Sequence, residues 1–300
     1  LGRTVHGIPR TTTRDVELMV VEDASTDDSA AFLNGGTDRV TLLRSQRQLG
    51  VANARNLGAR AAKGDIIVLC DAHIAAADGW FAPLVDCLAA PAVGAVGPVL
   101  RAIGRPDVNV CGLAFIDDAL NVAWLPRRAA NPYPVPLLPG CVLAVRHDVF
   151  HGAGGFDDGM LGYGAEDLEL CMRIWRMGLE CLVVPASEVG HRFTPPNARG
   201  IDRELFVYNL LRLGVVHLSG ANFTRFIDTL RAEREFEAAM ARVLAGNTLR
   251  RRATLQSQMP FDDSWFFRRF DAAAFRPAGG DSGVVQTTES ERLVVSRATA

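Results

Sequence analysis

A carboxylate and an imidazole stand two residues apart directly after an apolar run. The run is Asp-Ile-Ile-Val-Leu-Cys at 65–70, and Asp71 and His73 follow it. Residues two apart in extended backbone project to the same side, so both side chains leave the end of the strand together. Such a pair suits Mn²⁺ or a similar ion. On its own it is more often an aspartate that caps a turn beside an exposed histidine.

His191 supplies a third candidate ligand. It follows a second apolar run, at 181–184, in the sequence Val189-Gly190-His191. Parallel strands end at one edge of a sheet, and ligands of open α/β proteins bind at that edge. We therefore predict that Asp71, His73 and His191 hold Mn²⁺ or Mg²⁺ and leave coordination positions for a diphosphate and water. Without the other two residues, His191 would be interpreted as a hydrogen-bonded structural histidine.

Two adjacent acids open a predicted helix. Glu166 and Asp167 lie in the run Gly-Ala-Glu-Asp-Leu-Glu at 164–169. Acids in a first helical turn are stabilised by the helix dipole, and on spacing alone that structural explanation is as good as a catalytic one. The catalytic interpretation makes Asp167 a general base, which must lie within hydrogen-bond distance of an acceptor hydroxyl.

Short apolar runs alternate with helical stretches along the chain. This pattern predicts an α/β domain with a mostly parallel sheet and helices on both faces. The run at 65–70 is apolar on both faces and is expected to be a central, parallel strand. Ser25 or Thr26 is expected to cap a helix after the first strand. The other predicted elements are strands at 16–21, 40–43, 93–100, 141–145 and 181–184, and helices at 51–62, 79–90, 146–152 and 164–178.

Less regular segments divide the chain further. Residues 107–139 contain five prolines and are expected to form an irregular insertion that shapes the substrate site. Residues 202–275 have helical composition. We therefore predict a catalytic domain at 1–200 and a helical C-terminal extension at 201–276. The tail at 277–300, rich in Gly, Ser and Thr, is expected to be disordered.

The composition narrows the class of protein. Of the 300 residues, 48% are hydrophobic and 22% are charged, and the formal net charge of -2 gives no basic field for nucleic acid. The six cysteines form no C-x-x-C pair, which favours a reduced, cytoplasmic setting. No apolar stretch reaches the roughly 18 residues of a membrane-spanning helix. Peripheral contact of the C-terminal helices with the inner membrane face stays open.

The motifs, in this order and spacing, resemble polypeptide N-acetylgalactosaminyltransferases. The matching residues are Asp71-Ala72-His73, Gly79-Trp80, Gly155-Phe156-Asp157, the run at 164–169, Arg173-Ile174-Trp175 and Val189-Gly190-His191. The resemblance extends from residue 1 to about residue 197. The stretch Val-Val-Glu-Asp-Ala-Ser-Thr-Asp at 20–27 is also similar to family-2 glycosyltransferases in general.

The resemblance implies a GT-A fold, that is, a Rossmann-like nucleotide-diphospho-sugar transferase. Residues 2–7 look like the end of the first helix of the family, so its first strand is expected to precede residue 1. The lectin domain of the family is absent from this sequence. That absence favours a bacterial relative whose acceptor differs from mucin-type protein.

The resemblance also implies a UDP-sugar donor and roles for individual residues. Asp23 matches the acid that contacts uracil, and Arg55 matches an arginine of the nucleotide-binding helix. Asp71 matches a metal ligand that also lies near the ribose, and Gly140 lies in the segment that lines the donor sugar. The pair at 166–167 matches the acceptor-side acids.

One departure from the family determines the predicted stereochemistry. The retaining N-acetylgalactosaminyltransferases have asparagine where this chain has Asp167, whereas inverting family-2 enzymes and β-1,4-galactosyltransferases have an aspartate there as base. We therefore predict a metal-dependent, inverting glycosyltransferase. Its acceptor stays open among glycans, lipid-linked sugars, natural products and peptides.

Two other functions compete with this prediction. They are a retaining enzyme with the same nucleotide site and a nucleotide-sugar-binding protein without turnover. A dehydrogenase is disfavoured because no G-x-G-x-x-G follows an early strand.

Overall fold

The computed structural model describes residues 1–35, 39–193 and 200–270. The helices are α1 (Gly2–Thr11), α2 (Val51–Ala61), α3 (Phe81–Leu88), α4 (His147–Gly152), α5 (Glu166–Arg176), α6 (Arg203–His217), α7 (Gly220–Leu230), α8 (Phe236–Ala245), α9 (Thr248–Gln258) and α10 (Asp263–Arg269). The strands are β1 (Leu18–Asp23), β2 (Val40–Ser45), β3 (Ile66–Cys70), β4 (Ile74–Ala76), β5 (Val93–Ala102), β6 (Arg105–Val110), β7 (Leu113–Phe115), β8 (Val122–Trp124), β9 (Tyr133–Pro134), β10 (Val142–Arg146) and β11 (Glu180–His191). The tail at 277–300, predicted to be disordered, lies outside the described residues.

The main sheet is mixed. Among the described residues it has seven strands, with the path β3-β10-β5-β11-β4, β6 beside β5 and β9 beside β11. β5 and β11 run parallel, and the other pairs of this sheet are antiparallel. β1 and β2 form a separate parallel pair, and β7 and β8 form a separate antiparallel pair.

This pairing confirms the predicted α/β class and corrects the expected mostly parallel sheet. β3, predicted to be a central and parallel strand, lies at one end of the strand path and pairs antiparallel with β10. The prediction was wrong because an apolar strand indicates only that its faces are covered. Coverage by helices does not fix the direction of the neighbouring strand.

Helices cover both faces of the main sheet, as predicted. Side chains of its inner strands alternate between two cores, because successive residues of extended backbone point to opposite faces. On one face, Ala95 and Val183 pack in a core with residues of α5 and α6. On the other face, Val96 packs in a core with Leu84 and Leu88 of α3. The sheet is therefore covered on both faces, and the ends of its strands are available for a site.

The helix expected after the first strand does not form at Ser25 or Thr26. A short 3-10 helix at Ala31–Leu33 takes its place. The Asp27 side chain accepts a hydrogen bond from the backbone N–H of Ser29 at 3.1 Å. A local turn of this kind competes with helix formation.

The segment at 107–139, expected to be irregular, contains short strands. β7, β8 and β9 fall within it, and most of β6 does. β9 includes Pro134, which lies opposite Leu182 of β11. Proline is tolerated there because an edge strand needs ladder hydrogen bonds on one side alone. The prolines therefore limit strand length in this segment without preventing strands.

Among the C-terminal helices, α6 is the most deeply buried, and α10 also packs directly against α5. Helix α6 is buried from Val207 to His217, which is typical of a helix at the centre of a bundle. Its Arg212 donates to both oxygens of Asp157, each at 2.8 Å, and neither side chain is exposed. A buried ion pair thus ties α6 to the loop between α4 and α5. No helix in the described part of the chain has both the length and the apolar character needed to cross a bilayer.

Arg212→Ala is expected to destabilise the fold by about 3–5 kcal/mol, because it removes one partner of a buried ion pair. Arg251, whose Nε lies 3.0 Å from Asp157, remains and keeps the loss towards the lower end of that range. Urea denaturation measures the effect, with Arg250→Ala at an exposed position of α9 as the control. A loss of about 1 kcal/mol or less, as for a surface pair, would contradict this expectation.

Candidate active site

Strand ends bring the three predicted metal ligands together. β3 ends at Cys70, one residue before Asp71, and β4 begins at Ile74, one residue after His73. β11 pairs antiparallel with β4, and this register places His191 opposite Ile74. β3 and β11 run in the same direction, because the reversed β10 and then β5 lie between them. Their C-terminal ends therefore share one edge of the sheet.

The donor atoms of these side chains converge. Asp71 Oδ2 lies 3.3 Å from His191 Nε2 and 3.7 Å from His73 Nε2. The three ligand atoms all lie within 4.8 Å of one another. One carboxylate oxygen with two imidazole nitrogens suits Mn²⁺ and similar divalent ions. The residues present therefore fit a divalent metal ion.

The surroundings keep Asp71 ionised. Burial raises the pKa of its carboxyl group, but the hydrogen bond with His191 and the charge of Arg55 outweigh burial, so the pKa is lowered from its usual value. The side chain of His191 is buried, and within the described residues its Nδ1 has no hydrogen-bond partner. Its other nitrogen, Nε2, faces Asp71. An ionised carboxylate and a directed imidazole nitrogen are what a metal ligand set requires.

Arg55 of α2 connects the metal-ligand cluster to the acid pair. Its guanidinium donates to Asp71 Oδ1 at 2.8 Å and to Glu166 Oε1 at 3.1 Å. Burial lowers the pKa of the guanidinium, but the charges of Glu166 and Asp71 outweigh burial and raise it overall. The resemblance implies only a nucleotide-binding role for Arg55. Nothing in the spacing of the three residues in the sequence indicates this bridge.

Gly140 lies beside both Asp167 and Arg55. The backbone N–H of Gly140 donates to Asp167 Oδ2 at 2.7 Å, and the N–H of Leu168 donates to Asp167 Oδ1 at 2.9 Å. A Cβ at Gly140 would lie 2.5 Å from Arg55 Nη1 and 3.2 Å from Asp167 Cβ. A side chain at this position would therefore displace the Arg55 guanidinium and crowd Asp167.

Burial raises the pKa of both acids. The pKa of Glu166 is raised to about 7 by burial and by the charge of Asp167, against the charge of Arg55. The pKa of Asp167 is raised by burial, against the hydrogen bond from Gly140 and the charge of Arg55. A carboxylate with a raised pKa takes up a proton more readily near neutral pH. The pair thus has the proton affinity that a general base needs.

Asp23 lies at the C-terminal end of β1, where it holds the turn that leads into α2. Its two carboxylate oxygens accept hydrogen bonds from the backbone N–H groups of Leu49 at 2.6 Å and Gly50 at 3.0 Å. Arg55 lies on the second turn of the helix that begins at Val51. Asp23 is therefore connected to the other site residues through α2.

Two asparagines that were not predicted to be site residues hold the loop that precedes the acid pair. Asn56 of α2 donates to the carbonyl of Phe156 at 3.0 Å and accepts from its N–H at 2.9 Å. Asn209 of α6 likewise donates to the carbonyl of Leu161 at 2.7 Å and accepts from the N–H of Leu161 at 2.9 Å. A signal was present for Asn209, which interrupts an apolar stretch at 205–218. A polar side chain on a buried helix needs a hydrogen-bond partner.

Comparison with known proteins assigns the chain to a family. The family model described as glycosyl transferase family 2 matches residues 1–150. The chain belongs to glycosyl transferase family 2. A second family model, described as the N-terminal domain of galactosyltransferase, matches residues 127–196 of this family-2 chain. That second match includes Glu166, Asp167 and His191.

Relatives of this family-2 chain include animal enzymes. It is 32% identical to human polypeptide N-acetylgalactosaminyltransferase 15, over 71% of its own length and 37% of that protein. It is 27% identical to polypeptide N-acetylgalactosaminyltransferase 6 from Bos taurus, over 92% of its own length and 48% of that protein. The chain therefore spans between about a third and a half of the length of these relatives.

A solved structure shares the fold of this family-2 chain. The crystal structure of GalNAc-T7 with UDP, GalNAc and Mn²⁺ matches it with a TM-score of 0.74 at 22% sequence identity. The match covers 91% of this chain and 54% of the other. The predicted GT-A fold is confirmed.

Proposed function

We propose that this chain transfers a sugar from a UDP-sugar to an acceptor hydroxyl group with inversion at the anomeric carbon. The proposal places a divalent ion, Mn²⁺ or Mg²⁺, on Asp71, His73 and His191 and makes Asp167 the base. The observation that carries it is the convergence of one carboxylate oxygen and two imidazole nitrogens within 4.8 Å. Arg55 links that cluster to the buried Glu166, which adjoins Asp167, in a chain of glycosyl transferase family 2.

The names of similar proteins support the donor and the metal. GalNAc-T7 was solved with UDP, GalNAc and Mn²⁺, and the relatives above are named as polypeptide N-acetylgalactosaminyltransferases. On the basis of these names, we propose that a UDP-sugar is the donor for this chain. A peptide hydroxyl is accordingly the first acceptor to test, followed by glycans, lipid-linked sugars and natural products.

In a single displacement at the anomeric carbon, the residues of the site have separate roles. A bound divalent ion would neutralise charge that grows on the departing diphosphate. Asp167 accepts the proton of the acceptor hydroxyl as that oxygen bonds to the anomeric carbon and the bond to the diphosphate oxygen breaks. Arg55 keeps Asp71 ionised and orients Glu166 beside the base. Attack opposite to the diphosphate inverts the anomeric configuration.

A second candidate function is a retaining transfer, as in an N-acetylgalactosaminyltransferase-like enzyme. The names of the relatives favour it, and the same nucleotide and metal residues serve both reactions. The carboxylate of Asp167, which can accept a proton, favours inversion. A third candidate, a catalytically inactive nucleotide-sugar-binding protein, is disfavoured by the intact set of metal ligands and acids.

The domain division and the cell compartment are also proposals. We place the catalytic domain at 1–200 and a helical extension at 201–276, because the site residues lie in the first part and α6 to α10 in the second. We place the chain in the cytoplasm, and peripheral contact of its C-terminal helices with the inner membrane face stays an open alternative. The six free cysteines support a reducing compartment. The bacterial origin expected from the sequence stays a prediction.

Nucleotide release and sugar transfer with a panel of donors test the proposed function. The purified chain with Mn²⁺ is given the UDP forms of glucose, galactose, N-acetylglucosamine and N-acetylgalactosamine, with GDP-mannose as a control for the base. We expect UDP release that depends on the acceptor, and a product heavier by one sugar in mass spectrometry. Binding of UDP without turnover of any donor would favour the inactive binding protein.

Asp23→Ala is expected to weaken UDP binding by roughly 1.5–3 kcal/mol, the contribution of a hydrogen bond to a charged group. The uracil would lose its acidic partner, and the turn at Leu49 and Gly50 would lose the carboxylate that holds it. Calorimetric titration with UDP and Mn²⁺ measures the change, with Asp15→Ala at an exposed position as the control. Unchanged affinity in Asp23→Ala would remove Asp23 from the site.

A further inference from the structure

The loop between α4 and α5 leads directly into the acid pair at the start of α5 and has an unusual backbone. It covers residues 153–165 and ends at Ala165, whose φ of +67° is in the left-handed region that an alanine rarely adopts. Gly162 and Gly164 also have positive φ, at +60° and +108°. Backbone of this kind persists where surrounding contacts determine it. The conformation of the loop therefore depends on neighbouring elements.

Asn209 of α6 holds the last turn of this loop. Its Oδ1 accepts a hydrogen bond from the N–H of Leu161 at 2.9 Å. Its Nδ2 donates to the carbonyl oxygens of Leu161 at 2.7 Å and Gly164 at 3.0 Å. The Asn209 residue is 1% exposed. One buried amide thus fixes both ends of the turn at 161–164.

Gly164 connects Asn209 to the acid pair by hydrogen bonds. The N–H of Gly164 donates to Glu166 Oε2 at 3.1 Å, and the carbonyl of the same residue is bound by Asn209. Phe206, also on α6, closes the space around this glycine, since a Cβ at Gly164 would lie 2.6 Å from its ring. Fixing the Gly164 carbonyl therefore limits the movement of the N–H that orients Glu166.

We infer that Asn209 is a positioning residue for sugar transfer. By holding the turn at 161–164 it sets the first turn of α5, and with it Glu166 and Asp167, relative to the metal ligands. The inference rests on the proposed function of the acid pair. This role of Asn209 means that α6 helps to form the active site. The helix lies beyond the residues matched by the two family models.

Asn209→Asp separates this role from simple packing. The carboxylate has nearly the same size as the amide and still accepts from Leu161, but its second oxygen faces the carbonyls of Leu161 and Gly164. We expect both Asn209→Asp and Asn209→Ala to lower kcat by roughly 10–100-fold, the cost of a catalytic group displaced by about 1 Å. Their UDP affinity with Mn²⁺ should stay within about twofold of wild type. If Asn209 only fills space, Asn209→Asp will keep the kcat of the wild type.

Val243→Ala provides a control for general loosening of the C-terminal helices. Val243 lies on α8, which packs against α6, and it is fully buried in the same core. This variant is expected to unfold at a lower temperature and to retain its kcat. Hydrogen exchange at the Leu161 amide should accelerate in both Asn209 variants and not in Val243→Ala, a readout that needs no catalytic activity.

The outcomes are distinct. Faster Leu161 exchange together with lowered kcat supports the positioning role. Unchanged exchange, or a kcat equal to that of Val243→Ala, overturns it. A wild-type chain without transfer activity would overturn the proposed function as well, and this failure is recognisable before any substitution is made.

Discussion

Removal of divalent ions is expected to abolish sugar transfer, and Mn²⁺ is expected to restore it better than Ca²⁺. Ca²⁺ prefers a shell of oxygen ligands, whereas the cluster of Asp71, His73 and His191 offers two imidazole nitrogens and one carboxylate oxygen. Imidazole with carboxylate suits Mn²⁺. Transfer rates in excess chelator, and after addition of each ion in turn, measure the effect. Full activity in excess chelator would refute the three-ligand site.

His191→Ala isolates one ligand of that site. Loss of an outer-shell partner of a metal ligand costs roughly 10–100-fold in metal affinity, so loss of the ligand itself should raise the Mn²⁺ concentration for half-maximal rate by at least as much. The variant should keep its fold, because β11 still pairs with β4 and β5 through backbone hydrogen bonds. His151→Ala, at an exposed position of α4, is the matched control. An unchanged Mn²⁺ requirement in His191→Ala would remove this residue from the ligand set.

The ligand cluster was predictable because it depends on local patterns. Asp71 and His73 follow an apolar run, and His191 follows another, so the sequence marks both as strand ends. The strands β3 and β11 point in the same direction, so Asp71, just after β3, and His191, the last residue of β11, meet at one edge. This result did not require β3 to be central, and the error about its neighbours left the predicted cluster intact.

The contacts that organise the site were not predictable in this way. Arg55 is 111 residues from Glu166 in the chain, and Asn209 is 48 residues from Leu161. Periodicity reports whether a residue is buried, but its partner is set by how whole helices pack. A buried Asn or Arg in an apolar helix indicates that a partner exists, and the fold is needed to identify that partner.

Asp167→Asn is expected to lose sugar transfer by roughly 10²–10⁴-fold, the usual contribution of general base catalysis. The amide has the size of the carboxylate, and its oxygen can still accept the 2.7 Å hydrogen bond from Gly140. It cannot accept a proton from the acceptor hydroxyl. UDP and Mn²⁺ binding should therefore stay near wild type while turnover falls. Asp158→Asn, which changes an exposed acid in the loop before α5, is the control.

The pH profile gives this prediction a second readout. Because burial raises the pKa of Asp167, this base holds its proton to higher pH than an exposed aspartate does. Turnover should rise with pH as the proton is lost and fall as pH decreases through that pKa. Burial also raises the pKa of the neighbouring Glu166, to about 7, so this acidic limb of the pH profile reports both acids. In Asp167→Asn, the residual rate should lose the contribution of Asp167 to this acidic limb of the pH profile.

The anomeric configuration of the product tests the stereochemical part of the same prediction. If Asp167 removes the proton while the acceptor attacks opposite to the diphosphate, an α-linked UDP-sugar must give a β-glycoside. The coupling constant of the anomeric proton in NMR distinguishes the two products. An α-glycoside would show that configuration is retained, and the base assignment would fail even if Asp71, His73 and His191 hold the metal. A β-glycoside from the wild-type chain, together with near-normal turnover of Asp167→Asn, would preserve inversion and require a different base, for which Glu166 is the neighbouring acid.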